Sequence, residues 1–523
     1  VSNPRLRPTS RSSAILLTAL LCCAHASADW RVDGGYPQLQ AELGAALPTG
    51  AGIVVLQSEV DFDPGAGVAY LPQTTSVTPW SGTGNYTGKT FTADSGLAAI
   101  SSHSHSVAEY FYGNNSSVSP GVTDVHVMVA DDYFYNLVGS SVPATLAGKV
   151  HNMSWVGGST GSTPTDNYIL RALDYMVNRD GITACTPLGN NTGALPVLLA
   201  NSYNTISMGL RGGGHSTGGT TADGTGRMKP DLVVNVNLTS FAGPAVGSTA
   251  AMLRQAMLSS HPEADHPQVI KAILIAAASK TNLPGWFRAD STKPYHATLG
   301  AGELNMLNAW HILAKGQQAA TSAAEVLRSG WDYTTAVTAT PRRYFFTVPV
   351  GSWGGIFSAA LTWHRTVNRV AGSYTTATPN LTLRLFAADG LALGAQLDQS
   401  SSAVDNVEHL FQRNLPAGQY ALEVSITGAN DIPYGLAWET QISPGPNASV
   451  RRDEAGNVHL DLANLDPFVT YTIQRSTTLA PTWSDMTTIR TATTAPATTR
   501  TWQDTTTPVP GAAFYRLRWT PIR

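Results

Sequence analysis

The sequence predicts a parallel α/β sheet with helices on both faces, followed by two β-rich modules. Between residue 50 and about residue 315, short apolar runs alternate with segments whose apolar residues recur at helical spacing, as the strands and covering helices of a parallel sheet do. Near residue 335 the alternation stops, and strand-like segments follow one another between Gly, Asn and Asp clusters, the pattern of a β-sandwich. After Pro444-Gly445-Pro446 comes a third stretch, rich in Thr and Trp, with strands of its own. A chain of 523 residues exceeds one compact core. These shifts divide it into a signal segment at 1–28, an α/β domain at 29–335, a sandwich at 336–442 and a small β domain at 443–523.

The elements read as follows. Residues 53–56 (IVVL) follow Gly50 and Gly52 as a buried strand would, and residues 125–129 (VHVMV) are another. Residues 169–177 carry helical periodicity and are stopped by Gly181. Residues 196–200 (PVLLA) read as a further buried strand. Residues 247–258 and 267–278 read as helices, the second with Pro267 in its first turn. In the sandwich, 344–348, 359–363, 381–385 and 420–424 are the expected strands; in the last domain, 470–474 and 514–518.

Composition narrows the function. Hydrophobic residues make up 42% and charged residues only 13%, with a net charge of -3. There is no basic footprint for nucleic acid, and solubility falls to Ser, Thr, Asn and Gly, a habit of exported β-rich proteins. Arg5, Arg7 and Arg11 precede a short apolar run at 14–24 and a small-residue site at Ala26-Ser27-Ala28. That is a secretory signal, too short to span a bilayer, with Asp29 as the expected mature start. Of three cysteines, Cys22 and Cys23 leave with it and Cys185 stays alone, so the mature chain is expected to hold no disulfide.

Four segments carry chemistry. Thr239-Ser240-Phe241-Ala242-Gly243-Pro244 runs into a helix. A serine there gains from the positive end of the helix dipole and from backbone N–H groups able to hold an oxyanion. Ser102-His103-Ser104-His105 brings two imidazoles; a metal reading lacks a third ligand nearby. Asn201-Ser202-Tyr203-Asn204 follows the apolar run at 196–200. The first strand continues into Gln57-Ser58-Glu59-Val60-Asp61, where residues 57 and 59 share a face.

Together these segments resemble the subtilases, the subtilisin-like serine peptidases. That family carries a Lys-Pro-Asp strand start before a Thr-Ser-x-Ala-x-Pro segment; here the two are Lys229-Pro230-Asp231 and Thr239–Pro244. Its His-Gly-Thr-His-Val-Ala segment is similar to His103-Ser104-His105-Ser106-Val107-Ala108. Its Asn-Met-Ser and Ile-Ser-Val-Gly strands are similar to Asn152-Met153-Ser154 and Ile206-Ser207-Met208-Gly209. The resemblance spans 45 to about 315. It implies Ser240 as nucleophile, His103 as base with His105 as rival, and an oxyanion-binding Asn, assigned to Asn204. It also implies an aspartate at the end of the first strand, where this chain has Gln57. Glu59 is the expected substitute, with Gln57 as a neutral orienting group or Asp61 as alternatives. A further departure is Leu238, where the family has glycine. The stretch between Ala28 and the first strand is too short for the family's domain-sized inhibitory propeptide. The sandwich looks like modules appended to secreted bacterial subtilases, notably at Leu361-Thr362-Trp363-His364, and the last module is similar to fibronectin-type or autoadhesive tails.

The expected function is a serine endopeptidase acting through Ser240, His103, Glu59 and Asn204, on a protein or peptide substrate, as a monomer that is secreted or at the cell surface, extracellular or periplasmic. The alternative is a catalytically impaired relative kept as an exported binding module. No cofactor is expected for the chemistry. Asp61, Asp63, Asp131 and Asp132 are candidates for structural calcium.

Overall fold

The computed structural model describes residues 29–61, 68–139, 141–350, 354–428, 431–442, 446–463, 465, 469–478, 482–490, 499–506 and 513–521. Residues 1–28, expected from sequence to be a signal segment, and Asp63 lie outside them.

The run Val54–Glu59 forms β1, and its residues alternate between two cores: Val55 packs in one, Leu56 in the other. A strand can do this only where both faces of its sheet are covered. The sheet comprises β1, β2 (Trp80–Ser81), β3 (Thr90–Ala93), β4 (Asp124–Val129), β5 (Val150–Met153), β6 (Thr183–Pro187), β7 (Ile206–Leu210) and β8 (Leu232–Val234). Its order is β8-β7-β6-β5-β1-β4-β3-β2, parallel except for the edge pair β2/β3. The chain leaves β1 towards one edge and resumes at β5 on its other side. The carboxyl ends of β1 and β5 therefore flank a switch point, where open α/β sheets place their sites.

Helices α1 (Ser102–Tyr112) and α4 (Thr239–Ser260) cover one face; α2 (Ala130–Val138) and α3 (Thr163–Asp180) cover the other. Helix α5 (Pro267–Ala277) is buried at every residue except Gln268, and α6 (Met306–Ala314) packs beside it. A helix buried all round needs cover on its outer side, and the sandwich supplies it.

The sandwich has two antiparallel sheets. One orders β9 (Gly330–Ala336), β18 (Ile432–Ile442), β11 (Gly355–Trp363) and β16 (Val407–Leu415) as β9-β18-β11-β16. The other orders β10 (Arg342–Val348), β17 (Gly418–Thr427), β14 (Asn380–Asp389) and β15 (Ala392–Ser400) as β10-β17-β14-β15. A hairpin of β12 (Thr366–Val370) and β13 (Ser373–Ala377) reaches α3, where Tyr374 meets Tyr168 at 4.9 Å and Tyr175 at 5.7 Å between ring centres. Residues 446–521 add two three-stranded antiparallel sheets. Among the described residues no helix is long and apolar enough to cross a membrane.

Sandwich and α/β domain share one interior. Trp331, Ala360, Val407 and Ala437 belong to the same apolar cluster as α5. A Cβ on Gly435 would lie 2.7 Å from the backbone of Gln268, so strand and helix touch main chain to main chain. Arg365 is buried between Asp174 and Asp223, at 2.5 and 2.6 Å. It covers the Tyr203 ring at 4.2 Å, opposite Arg227 at 3.6 Å. Leaving Asp174 without this cation would cost about 3–5 kcal/mol; Asp223 keeps Arg171 at 2.7 Å.

Two expectations are corrected. Residues 330–335, assigned by composition to the first domain, pair with β18 as part of β9 and belong to the sandwich. The run 196–200 forms no strand: Leu198 makes a single bridge to Gly157, and its apolar side chains fill the α3 core instead.

Docking also buries Glu439 on β18, and that burial pushes its carboxyl up to about 7 against the opposing contact from Gln441. An acid raised in the folded state binds its proton more tightly there than in the unfolded chain, where it titrates near about 4.3. Its stability contribution is therefore full below that value and lost as pH rises through about 7. Thermal unfolding across this range should show a loss of about 3 kcal/mol that Glu439→Gln abolishes; an equal slope in the variant would contradict the burial.

Candidate active site

β1 ends in polar residues that the sheet centre nevertheless buries completely: Gln57, Ser58 and Glu59. Gln57 and Glu59 project to the same side, towards α1. Ser101 caps α1, its Oγ accepting the Ser104 N–H at 3.2 Å, and this sets His103 in the first turn facing the strand end. His103 Nδ1 donates to Glu59 Oε2 at 2.9 Å, and Gln57 Nε2 donates to Glu59 Oε1 at 3.0 Å. Both carboxylate oxygens thus have donors. Burial pushes the Glu59 carboxyl up, while the His103 and Gln57 contacts pull it back down. With Nδ1–H committed to the carboxylate, the tautomer is set, and Nε2 is the nitrogen able to take a proton.

Gln57 cannot replace Glu59. Its amide nitrogen also meets the Ser104 carbonyl at 2.9 Å and the Ser104 Oγ at 3.0 Å, and its oxygen accepts from the Tyr112 hydroxyl at 2.6 Å. It braces the acid from behind. Asp61 turns away and accepts the Ala69 N–H at 2.8 Å. His105 lies about 200° round the helix from His103. It contacts the Pro72 carbonyl through Nδ1 and meets the edge of Tyr86 at 5.3 Å, whereas His103 is the imidazole bonded to Glu59.

Ser240 is the second residue of α4. Leu238, the residue before the helix, has φ -135 and ψ 144, extended backbone that does not require the family's glycine. Pro244 has no N–H to return to the Ser240 carbonyl one turn earlier. The Ser154 hydroxyl fills that vacancy at 2.9 Å, itself held by Asn152 Nδ2 at 2.7 Å. The Ser240 backbone is thereby tied to the end of β5. Helices α1 and α4 pack closely: a Cβ on Gly247 would meet the Phe111 ring at 3.0 Å. Phe241, next to Ser240, stacks between Tyr110 (4.9 Å, 5°) and His103 (6.2 Å, 26°). Among the described residues neither the Ser240 N–H nor its Oγ has a hydrogen-bond partner.

Asn204 does not join this group. Its Nδ2 donates to the carbonyls of Asp174 (3.2 Å) and Arg365 (3.0 Å), and its Oδ1 accepts the Arg365 N–H at 2.8 Å. It pins the sandwich to α3 and has no proton to spare for an oxyanion. Asn190 is the residue that sequence reasoning missed. It follows the true strand β6, and its Oδ1 accepts the Thr239 N–H at 2.7 Å and lies 2.8 Å from the Thr239 hydroxyl. Its Nδ2 has no partner among the described residues. The signal was Asn190 closely following the apolar stretch at 182–188, passed over because 196–200 looked more like the preceding strand.

Of the calcium candidates, Asp131 and Asp132 lie in the first turn of α2. Among the described residues no group of three or more His, Cys, Asp or Glu is arranged for a metal ion.

No family model and no curated protein matches the chain. Solved structures do match. Tripeptidyl peptidase 2 is 12% identical, with a TM-score of 0.32 over 72% of this chain, which spans only 43% of that protein. A lanthipeptide protease is 13% identical over 54% of this chain and 95% of its own, with a TM-score of 0.36. MycP1, a serine protease of the type VII (ESX-1) secretion system, is 15% identical over 55% and 90%, with a TM-score of 0.31. These neighbours are subtilisin-like serine proteases.

Asn204→Ala should lower the unfolding free energy by about 1–3 kcal/mol in a denaturant titration, because it orphans buried groups of Asp174 and Arg365. A neutral substitution would contradict the bridging role.

Proposed function

We propose that this chain is an exported serine endopeptidase with Ser240 as nucleophile, His103 as general base and acid, and Glu59 as the orienting carboxylate. The observation that carries the proposal is the buried Glu59–His103 hydrogen bond, set beside a helix-opening serine whose N–H and hydroxyl are uncommitted. Ser240 Oγ attacks the carbonyl carbon of the scissile peptide bond and its proton passes to His103 Nε2. The imidazolium keeps its Nδ1–H on Glu59. The carbonyl oxygen becomes an oxyanion, received by the Ser240 N–H and Asn190 Nδ2, with the positive end of α4 behind them. Collapse breaks the C–N bond, and the departing amine takes the proton from Nε2. Water then gives a proton to Nε2, attacks the acyl-enzyme, and the acid leaves as Ser240 regains its proton.

Competence, rather than an impaired binding module, is supported by the two departures that raised doubt. Gln57 braces an intact acid two residues on, and Leu238 occupies ordinary extended backbone. Export is supported by the charged, apolar and small-residue blocks of residues 1–28.

Incubation with casein and a fluorophosphonate probe tests the reading. The unaltered protein should cleave and be labelled at Ser240, and Ser240→Ala should do neither. Glu59→Gln should lose about 10⁴-fold in kcat. Asn190→Ala should lose about 10²–10³-fold, with KM little changed. Undiminished cleavage by Ser240→Ala, or absence of labelling on folded unaltered protein, would sink the proposal.

A further inference from the structure

Lys280 lies just beyond α5, beneath the sandwich, and is 3% exposed. Its Nζ donates to the Ala278 carbonyl at 2.9 Å and meets His409 Nε2 at 3.3 Å. His409 Nδ1 faces the Pro294 carbonyl at 3.3 Å, so the ring carries its proton there and Nε2 accepts. Burial holds His409 well below the ordinary histidine range, which keeps this imidazole neutral. Two aromatic faces complete the surroundings: the ammonium lies 4.5 Å from the Phe411 centre and 5.1 Å from that of Trp286.

A counterion is missing. Lys229 and Lys271, equally buried, share Asp231 at 3.0 and 3.1 Å. Lys89 has two carbonyls, at 2.7 and 2.6 Å. Lys280 has one carbonyl, one neutral imidazole, and no carboxylate within ion-pair reach among the described residues. Burial first, and then the charge of Arg413, push the Lys280 ammonium well below its ordinary range. An ammonium withdrawn from water without a counter-charge is costly.

Lys280 and Arg413 both line a cavity of about 30 Å³ between the α/β domain and the sandwich. Thr281 and Asn308 wall it on one side, and Ser358, Phe411 and Glu439 on the other. That volume suits one water or one small ion. Ser358 Oγ stands 3.3 Å from His409 Nε2, and Arg413 Nη2 donates to the Trp286 carbonyl at 3.0 Å. The acid on the wall, Glu439, is engaged by Gln441 at 3.0 Å.

We propose that this cavity binds one small monovalent anion, of the size of chloride or formate, as a counterion shared by Lys280 and Arg413. The anion joins a cation of the α/β domain to one of the sandwich, and so holds the two together. The site is remote from Ser240 in sequence and chemistry, and the proposal stands whether or not the chain hydrolyses peptides.

Two measurements on the full chain test it. Thermal unfolding at pH about 6, with chloride exchanged for gluconate at constant ionic strength, should show a saturable rise in Tm with chloride. Lys280→Met should lose that rise. A chloride dependence that is absent, or that persists in the variant, would overturn the proposal. Crystals of the unaltered protein soaked in bromide decide the matter even if the variant does not fold. An anomalous peak between Lys280 and Arg413 is expected, and a cavity holding water alone would overturn the site.

Discussion

One carboxylate withdrawn entirely from water organises the site. Ionised, Glu59 is tolerable at the sheet centre only if donors replace its hydration, and it has two: the His103 ring and the Gln57 amide. Gln57 is in turn held by Ser104 and Tyr112 of α1. The strand end and the helix are therefore tied through the same polar group that orients the imidazole. This explains how the acid can stand two residues beyond the family's position. Side chains at i and i+2 of a strand share a face, and the vacated position becomes the brace.

The serine is fixed from the other side. Pro244 frees the Ser240 carbonyl, Ser154 takes it, and the nucleophile becomes anchored to β5 rather than to its own helix. Thr239 takes hold of Asn190, so the first turn of α4 carries both the nucleophile and the anchor of the amide beside it. The stack of Tyr110, Phe241 and His103 joins the two halves. The sandwich is part of this arrangement rather than a tail. It covers α5, and its Arg365 fills the gap between Asp174 and Asp223, behind the loop that follows β6.

Much of this was legible. Parallel strands betrayed themselves as apolar runs, and the period of two put Glu59 on the face of Gln57. Motif order singled out His103 and Ser240. What stayed hidden depended on contacts distant in sequence. Residues 196–200 are apolar because they plug the α3 core, and apolarity alone cannot separate that from a strand. Their misreading drew the expected oxyanion residue to Asn204 and away from Asn190. The start of the strand 330–336 was assigned to the wrong domain because its partner lies a hundred residues away. Nothing local announces that Asn204 is spent on a backbone pair from the sandwich, nor that the Gln57 amide would hold a carboxylate rather than an imidazole.

The account's central claim is that Ser240, His103 and Glu59 form one proton-handling chain beside an oxyanion pocket. A crystal structure of the fluorophosphonate adduct measures this directly. The account predicts phosphorus bonded to Ser240 Oγ, a phosphoryl oxygen about 2.7–3.1 Å from both the Ser240 nitrogen and Asn190 Nδ2, and His103 still bonded to Glu59. An adduct whose phosphoryl oxygen points to solvent, or an imidazole that has left Glu59 for Gln57, would contradict it.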